Sequence, residues 1–403
     1  MTDKEPKFPT ETIAEGKVRV QVPKLSAYGV CPSDYAPSKA PVFFNPVMEF
    51  NRDLTILALR SYQQTIKKEI SICEPLTATG IRGLRFATEI SEVKTVICGD
   101  ISDQSVELAA HNVELNNLQN RVIVKHKEAN RLLGEHSAPR TRFDVIDIDP
   151  FGTPVPFLDA AVRAIRNNGL LAATATDMAP LCGVHVKACV RKYGGRPLRT
   201  EYCHELAVRL LAGQICLTAA KHDIGTQVLF SHCSDHYVRV YMNVRYGCNK
   251  ADESLKQMGY LLHCYNCLHR ESAAKPFPET EIKCSECGEK MDYAGPLWLG
   301  RIFDAHFVNL MIQENMRVAF RNSRRISKLL NLAREEANMS PTYYVLDKLS
   351  GKFGFPAPSV AAISEALHNR GFRAVETHFN PRGIRTDASS SVMQDIVRKV
   401  SEA

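Results

Sequence analysis

The sequence predicts an α/β chain in which a doubly wound parallel sheet ends in an antiparallel hairpin, followed by a smaller α+β domain built around a metal. Three observations predict it. Short apolar runs alternate with helical stretches from residue 70 to residue 176. Two strand-like runs around a polar turn follow at 226–246. Then the rhythm stops, and two C-x2-C pairs appear in the last third of the chain.

The elements are read in order. The N-terminal stretch "MTDKEPKFPTETIAEGKVRVQVP" is polar and charged, without the apolar core of a signal peptide. It reads as a hairpin, with "EGK" as the turn and "VRVQV" alternating. The parallel strands are "ISICEPL" (70–76), "TVICGD" (95–100), "RVIVKHKE" (121–128), "FDVIDID" (143–149) and "GLLAATAT" (169–176). Between them lie the helices "GIRGLRFATEI", "SDQSVELAAHNVELNN" and "PVPFLDAAVRAIRN", with Ser102 as the N-cap of the second. Strand and helix in alternation build a parallel sheet covered on both faces. "TQVLFSHCSDHYVRVYMNVRY" (226–246) closes it as a hairpin turning at "CSD". Five parallel strands with a terminal hairpin resemble the class I, Rossmann-like methyltransferase fold.

The first domain is therefore drawn over 1–258 and the second over 259–403. The second holds a cysteine-rich segment (264–287) and a helical region from about 300 to 338. "SVAAISEALHNRGFRAV" reads as a helix-turn-helix, and "VETHFNPRGIRTD" as a hairpin turning at "NPRG".

Composition narrows the function. The 403 residues carry 51 basic and 44 acidic side chains, net +7. That mild excess suits a nucleic-acid partner and equally an ordinary basic protein. No apolar run approaches the ~18 residues of a membrane helix. With no secretory signal, the sequence predicts a cytoplasmic protein whose 13 cysteines are reduced, so clustered pairs read as metal ligands. No obligate protein partner is evident.

In an open parallel sheet, ligands bind beyond the carboxyl ends of the strands. The first such loop, "EPLTATGIRG" (74–83), holds Gly80 and Gly83 but no full G-x-G-x-x-G. Asp100 ends the second strand, where a carboxylate can accept both hydroxyls of a ribose. Glu128 and Ala129 follow the third, where an adenine edge would lie. Each acid alone also reads as a loop carboxylate or a helix cap. Acids at consecutive strand ends favour a nucleoside. The absence of G-x-x-x-x-G-K-[ST] means that the nucleoside need not carry phosphates. S-adenosylmethionine (SAM) carries none.

"DIDPFGTP" (147–154) places Asp149, Pro150 and Phe151 at the fourth strand end. Methylating an exocyclic amine requires a base out of its stack, gripped on its face, with its amine hydrogen-bonded. A carboxylate accepts from the N–H, proline fixes the turn, and the ring offers a stacking face. Guanine presents two adjacent donors on its pairing edge, which suit a carboxylate. Adenine presents an acceptor there, which a carboxylate repels.

Together with "DIDPFGTP", the stretches "PVFFNPVMEFNRDL" (41–54), "EPLTATGIRGLR" (74–85) and "GPLWLG" (295–300) resemble the tRNA (guanine-26-N2)-dimethyltransferase family. The resemblance implies SAM-dependent methylation of a guanine N2, once or twice, in the tRNA core. It implies that Arg52, Arg82, Asp100, Glu128 and Ala129 contact SAM. It implies further that Phe43 and Phe151 sandwich the guanine and that Asp149 holds its amine. The roles of Phe43 and Arg52 rest on the resemblance alone, since "VFFNP" by itself reads as a core-packing segment. A chain without the long basic extensions of eukaryotic members resembles an archaeal one.

Cys264, Cys267, Cys284 and Cys287 form C-x2-C-x16-C-x2-C, the spacing of a tetrahedral, structural zinc ribbon. Cys31, Cys73, Cys98, Cys182, Cys189, Cys203, Cys216, Cys233 and Cys248 are scattered and read as small core residues. "HELAV" (204–208) lacks the second His of a zinc-protease helix and reads as helix surface. "RVAFRNSRRISK" (317–328) and the glycine-containing loop "KACVRKYGGRPLR" (187–199) read as contacts to an RNA backbone or as solvated basic surface. Two rivals stay open: an amino-methyltransferase on adenine N6 or ribosomal RNA, and a non-catalytic zinc-ribbon RNA-binding protein.

Overall fold

The computed structural model describes residues 7–29, 36–274 and 282–402. Cys31 and residues 275–281, between the two cysteine pairs, lie outside the described residues. The chain forms two compact units. The first takes the described residues up to Pro150, with Phe157–Ala173 and Leu310–Ser327. The second takes Phe151–Pro156, Thr174–Asn309 and the chain from Lys328 onward. This division differs from one at residue 258: Phe151–Pro156 and residues 174–258 group with the second unit, and Leu310–Ser327 with the first.

The N-terminal hairpin is present. β1 (Thr10–Glu15) pairs antiparallel with β2 (Val18–Pro23) around Gly16 in a left-handed turn (φ 55°). A short α1 (Ala36–Lys39) precedes α2 (Glu49–Ile66). Then come β3 (Ile70–Glu74), α3 (Ile81–Glu89), β4 (Val93–Asp100), α4 (Asp103–Leu115), β5 (Val122–His126), α5 (Ala129–Glu135), β6 (Phe143–Ile148), α6 (Val155–Ala164) and β7 (Ile165–Ala175). Every residue of β3 and β6 is buried, as expected of parallel strands covered on both faces. Ser102 caps α4 by accepting from the Ser105 N–H. At Gly83 an added Cβ would lie 2.2 Å from Cys98 Sγ and 3.0 Å from Glu74 Oε2, so glycine is what lets α3 close onto the sheet.

The helix expected over 154–167 stops at Ala164, and β7 starts at Ile165. Arg166 turns to the buried Asp144 (2.7 Å), and Asn168 takes a left-handed conformation (φ 61°) that no helix accommodates.

After α7 (Met178–Leu181), α8 (Val186–Tyr193) and α9 (Cys203–Ala220) come the hairpin strands β8 (Ile224–Ser234) and β9 (Tyr237–Tyr246). The sheet order is β5-β4-β3-β6-β7-β9-β8: a parallel run with an antiparallel hairpin at one edge. The stretch 187–199 is only partly a loop, since α8 covers it to Tyr193 and ends on Gly194 (φ 67°).

α10 (Cys248–Leu255) leads to a three-stranded sheet of β10 (Met258–His263), β11 (Arg270–Ala273) and β12 (Asp292–Trp298), ordered β11-β10-β12. α11 (Ala305–Arg317) and α12 (Ser323–Glu336) follow. The chain closes with β13 (Tyr344–Val345), α13 (Leu346–Phe353), α14 (Val360–Asn369), β14 (Ala374–Thr377), β15 (Asn380–Thr386) and α15 (Ser390–Glu402). Leu346, Leu349, Ile363, Leu367, Ile384 and Met393 share its core.

The helix-turn-helix expected within 359–375 is not formed there. One helix, α14, ends at Asn369, and beyond Gly371 (φ 82°) the chain extends into β14. The hairpin turns at His378–Phe379 rather than at "NPRG", which lies in β15. The buried Glu336 sets that turn by accepting from the His378 N–H (2.9 Å) and the Thr377 hydroxyl.

Candidate functional site

The carboxyl ends of β3, β4, β5 and β6 gather the acids of the first unit. The loop after β3 is tightly folded. Gly80 N-caps α3 in a left-handed conformation (φ 79°), and Ala78 shares that region (φ 48°). The turn delivers the Ala78 N–H to Asp100 Oδ2 (2.9 Å), while the Ser102 N–H reaches Oδ1 (3.0 Å). Each oxygen of Asp100 thus has one main-chain donor and keeps acceptor capacity for a hydroxyl. That arrangement fits the two hydroxyls of a ribose.

Glu128 takes the role of helix cap. Its two oxygens accept from the N–H groups of Asn130 and Arg131 (2.9 Å each) at the start of α5. Ala129 is buried as the first residue of that helix.

Arg82, on the first turn of α3, is 4% exposed and sits among three carboxylates. Its guanidinium is hydrogen-bonded to Asp149 and lies 3.6 Å from Asp147 Oδ2 and 3.8 Å from Glu74 Oε1. Asn51 Oδ1 and Thr55 Oγ1, from α2, accept at 3.1 Å each. Arg82 therefore orients Asp149, whose side chain is 18% exposed. Burial pushes the Glu74 carboxyl up to about 8, against the pull of Arg82. A proton on Glu74 leaves Arg82 to compensate the acids nearer the strand end.

Arg52 is buried too. It grips Glu15 with two bonds of 2.6 Å and lies over the Phe44 ring (5.7 Å). "VFFNP" divides between its two readings: Phe44 is buried core, while Phe43 is 38% exposed.

Asp149 is followed by Pro150 and Phe151, whose ring is 74% exposed. Gly152 (φ 95°) and Thr176 tie the turn: the Gly152 N–H donates to the Thr176 hydroxyl (2.8 Å), and the Thr176 N–H to the Gly152 carbonyl (2.9 Å).

The four cysteines of the second unit converge. Their sulfurs lie within 4.8 Å of one another, with Cys264 and Cys287 at 3.5 Å and Cys267 and Cys284 at 3.5 Å. Two matching knuckles do this. The Leu268 N–H donates to the Cys264 carbonyl and the Gly288 N–H to the Cys284 carbonyl (2.9 Å each), with Leu268 (φ 63°) and Gly288 (φ 74°) left-handed. Zinc–sulfur bonds of ~2.3 Å in a tetrahedron set sulfurs ~3.8 Å apart, so this donor set fits such an ion.

The sequence reading missed the partners of the arginines. Glu15 also accepts from Arg85 (2.9 Å), which binds Asp53 (2.8 Å) and Glu89 (2.7 Å) as well. Nothing local marks Glu15, which is 37 residues from Arg52. Asn51 and Asp53 flank Arg52 in "NRDL", the one available signal. "HELAV" is not simply helix surface: Glu205 is fully buried and binds Arg209 (2.8 Å) and Arg385 (3.0 Å). Cys248 is exposed rather than core. Among the basic residues, Arg196 is paired with Asp292 and Lys192 with Asp177, whereas Lys187, Arg191, Arg199, Arg324 and Lys328 are exposed.

A Rossmann-like mixed sheet, an acid with spare acceptor capacity at the second strand end and an Asp-Pro-Phe turn at the fourth fit a SAM-dependent methyltransferase. Comparison with known proteins gives the family. The profile of the TRM family, N2,N2-dimethylguanosine tRNA methyltransferase, matches residues 16–398, and the chain belongs to that family. It is 42% identical to the tRNA (guanine(26)-N(2))-dimethyltransferase of Methanobrevibacter smithii, over 98% of this chain and 99% of that protein. It is 34% identical to the tRNA (guanine(26)-N(2)/guanine(27)-N(2))-dimethyltransferase of Aquifex aeolicus, over 97% and 96%. The structure of Trm1 from Pyrococcus horikoshii with S-adenosyl-L-methionine superposes with a TM-score of 0.84 at 33% identity, covering 96% of this chain and all of that one.

Proposed function

We propose that the protein transfers methyl groups from SAM to the exocyclic N2 of guanine 26 in tRNA, once and then a second time. The observation that carries the reading is Asp149: a strand-end carboxylate oriented by Arg82, directly before Pro150 and the exposed Phe151. SAM supplies a methyl on its sulfonium. Asp149 accepts the N1–H and one N2–H of guanine, which turns the N2 lone pair outward. The carbon–sulfur bond breaks as the carbon–nitrogen bond forms, and the cationic N2 then sheds its proton to water or to Asp149. One N2–H remains after the first transfer, so the same grip serves the second. Phe151 and Phe43 are the proposed stacking rings. Asp100 is the proposed ribose acceptor, and Arg82 acts through Asp149.

Cys264, Cys267, Cys284 and Cys287 are proposed to hold a structural zinc, with no open position on the ion. The segment 259–403 is proposed to orient the tRNA, and the cytoplasm is the proposed compartment. Among the described residues no helix is long and apolar enough to cross a membrane.

The test is incubation with SAM and unmodified tRNA transcripts, followed by nucleoside mass spectrometry. N2-methylguanosine and N2,N2-dimethylguanosine are expected, and a transcript with adenosine at position 26 should accept nothing. N6-methyladenosine would select the adenine rival. No transfer under any condition would select the non-catalytic one.

A further inference from the structure

We propose that Cys182, Cys203 and His204 form a second metal site, separate from the four-cysteine cluster, that takes a thiophilic divalent cation such as zinc. The sequence scatters these residues, and the fold of the second unit gathers them. Cys182 closes α7, while Cys203 and His204 open α9. One ligand atom from each lies within 4.8 Å of the others. Zinc bound by two thiolates at ~2.3 Å and one imidazole at ~2.0–2.1 Å sets its donors ~3.5–3.8 Å apart. Small side-chain rotations close that difference.

Three further features suit an ion. Both sulfurs are half-buried and His204 is exposed, which leaves an entry path. Cys203 is also the first residue of α9, which places its thiol at a helix N-terminus. The thiolate is the ligating form of cysteine, and a helix N-terminus favours it. Finally, Cys203 and His204 are adjacent at the start of α9, so one helical turn carries two of the three donors. The fourth position is left to water. The site has a structural consequence. Cys182 lies just past Thr176, which holds Gly152 in the turn after Phe151, so a bound ion would tie that segment to the first turn of α9.

The experiment uses the full chain, reduced, stripped with a chelator and titrated with zinc chloride alone. Bound zinc is counted by elemental analysis after desalting. The wild type should hold one zinc more per chain than Cys182→Ser or Cys203→Ser. This difference does not depend on what the four-cysteine cluster binds. His204→Ala alters an exposed side chain and should weaken the additional zinc at least tenfold. Cobalt(II) should give a thiolate charge-transfer band that loses intensity in Cys182→Ser. Equal zinc counts in wild type and both serine variants would overturn the proposal. So would a Cys182–Cys203 disulfide in place of metal binding, seen as a mass lower by two hydrogens in protein purified without reductant.

Discussion

Replacing Asp149 by Asn separates chemistry from folding. The amide keeps the shape of the carboxylate but offers the guanine edge one acceptor and one donor, where the base presents two donors. One charge-assisted hydrogen bond is lost, a change of about 1.5–3 kcal/mol. If it acts in the transition state, the rate falls about 10- to 150-fold at ~1.4 kcal/mol per factor of ten. Folding should suffer less. Arg82 stays buried, yet keeps the Asp147 carboxylate at 3.6 Å and its hydrogen bonds to Asn51 and Thr55 at 3.1 Å. An uncompensated buried charge costs about 3–5 kcal/mol, and here compensation persists, so the loss should stay near 1 kcal/mol. The assay is single-turnover transfer of labelled methyl to tRNA at saturating SAM, with calorimetry for SAM affinity and urea unfolding for stability. Turnover within threefold of wild type would refute the role of Asp149. So would a SAM affinity lowered more than tenfold, because ribose binding is assigned to Asp100.

Arg52→Ala should destabilise the chain by about 3 kcal/mol in urea, since it strips Glu15 of a bidentate partner and leaves only Arg85. Loss of SAM affinity without loss of stability would instead favour direct contact between Arg52 and the cofactor. Stability should also fall in acid through Glu336. Burial raises its carboxyl, but His378 and Arg385 outweigh that and hold it at about 2, below the ordinary 4.5. A depressed acid stabilises the fold above the unfolded value and loses that contribution as pH falls from 4.5 toward 2. The urea midpoint should therefore drop between pH 6 and 3.5 in wild type, and less in a Glu336→Gln variant that still folds. Lastly, Arg321→Ala with Arg324→Ala, both exposed, should weaken tRNA binding and shallow its salt dependence by up to ~0.7–0.9 per phosphate contact, with SAM affinity unchanged. Arg321 lies in the turn before α12 and Arg324 on its first turn, and an unchanged slope would make this basic surface merely solvated. Arg325 is left intact because its guanidinium lies 3.9 Å from the Phe50 ring centroid.

The legible parts of this protein are those whose cause is local. Apolar runs such as Ile70–Glu74, the Ser102 cap and the Gly16 turn each follow from a few consecutive residues. The same holds for the cysteine knuckles, where a fixed spacing meets a left-handed residue after each pair. What stayed hidden depends on distant partners. Glu128 was readable as ligand or cap, and the cap it makes shows only once α5 is in place. Ile165 begins a strand because Arg166 finds Asp144 across the sheet. The hairpin near the C-terminus turns at His378 because Glu336, 42 residues earlier, sits beneath it. Charge patterns also hid partners: of the basic residues in 187–199, Arg196 and Lys192 are paired with acids that no window of sequence connects to them.

The composite make-up of the first unit bears on synthesis. A ribosome releases residues up to Pro150 and Phe157–Ala173 well before Leu310–Ser327, yet all belong to one body. Until the later segment emerges, Arg60 and Gln64 lack Glu314, which binds them at 2.6 and 2.5 Å, and Asp53 lacks Asn322 at 2.9 Å. The nascent sheet must therefore wait, incomplete along α2, for a piece made much later. Domains usually mature in the order they are translated. Here vectorial maturation is interrupted, and a gene cut after codon 258 would yield an open α2 flank rather than a free-standing catalytic domain.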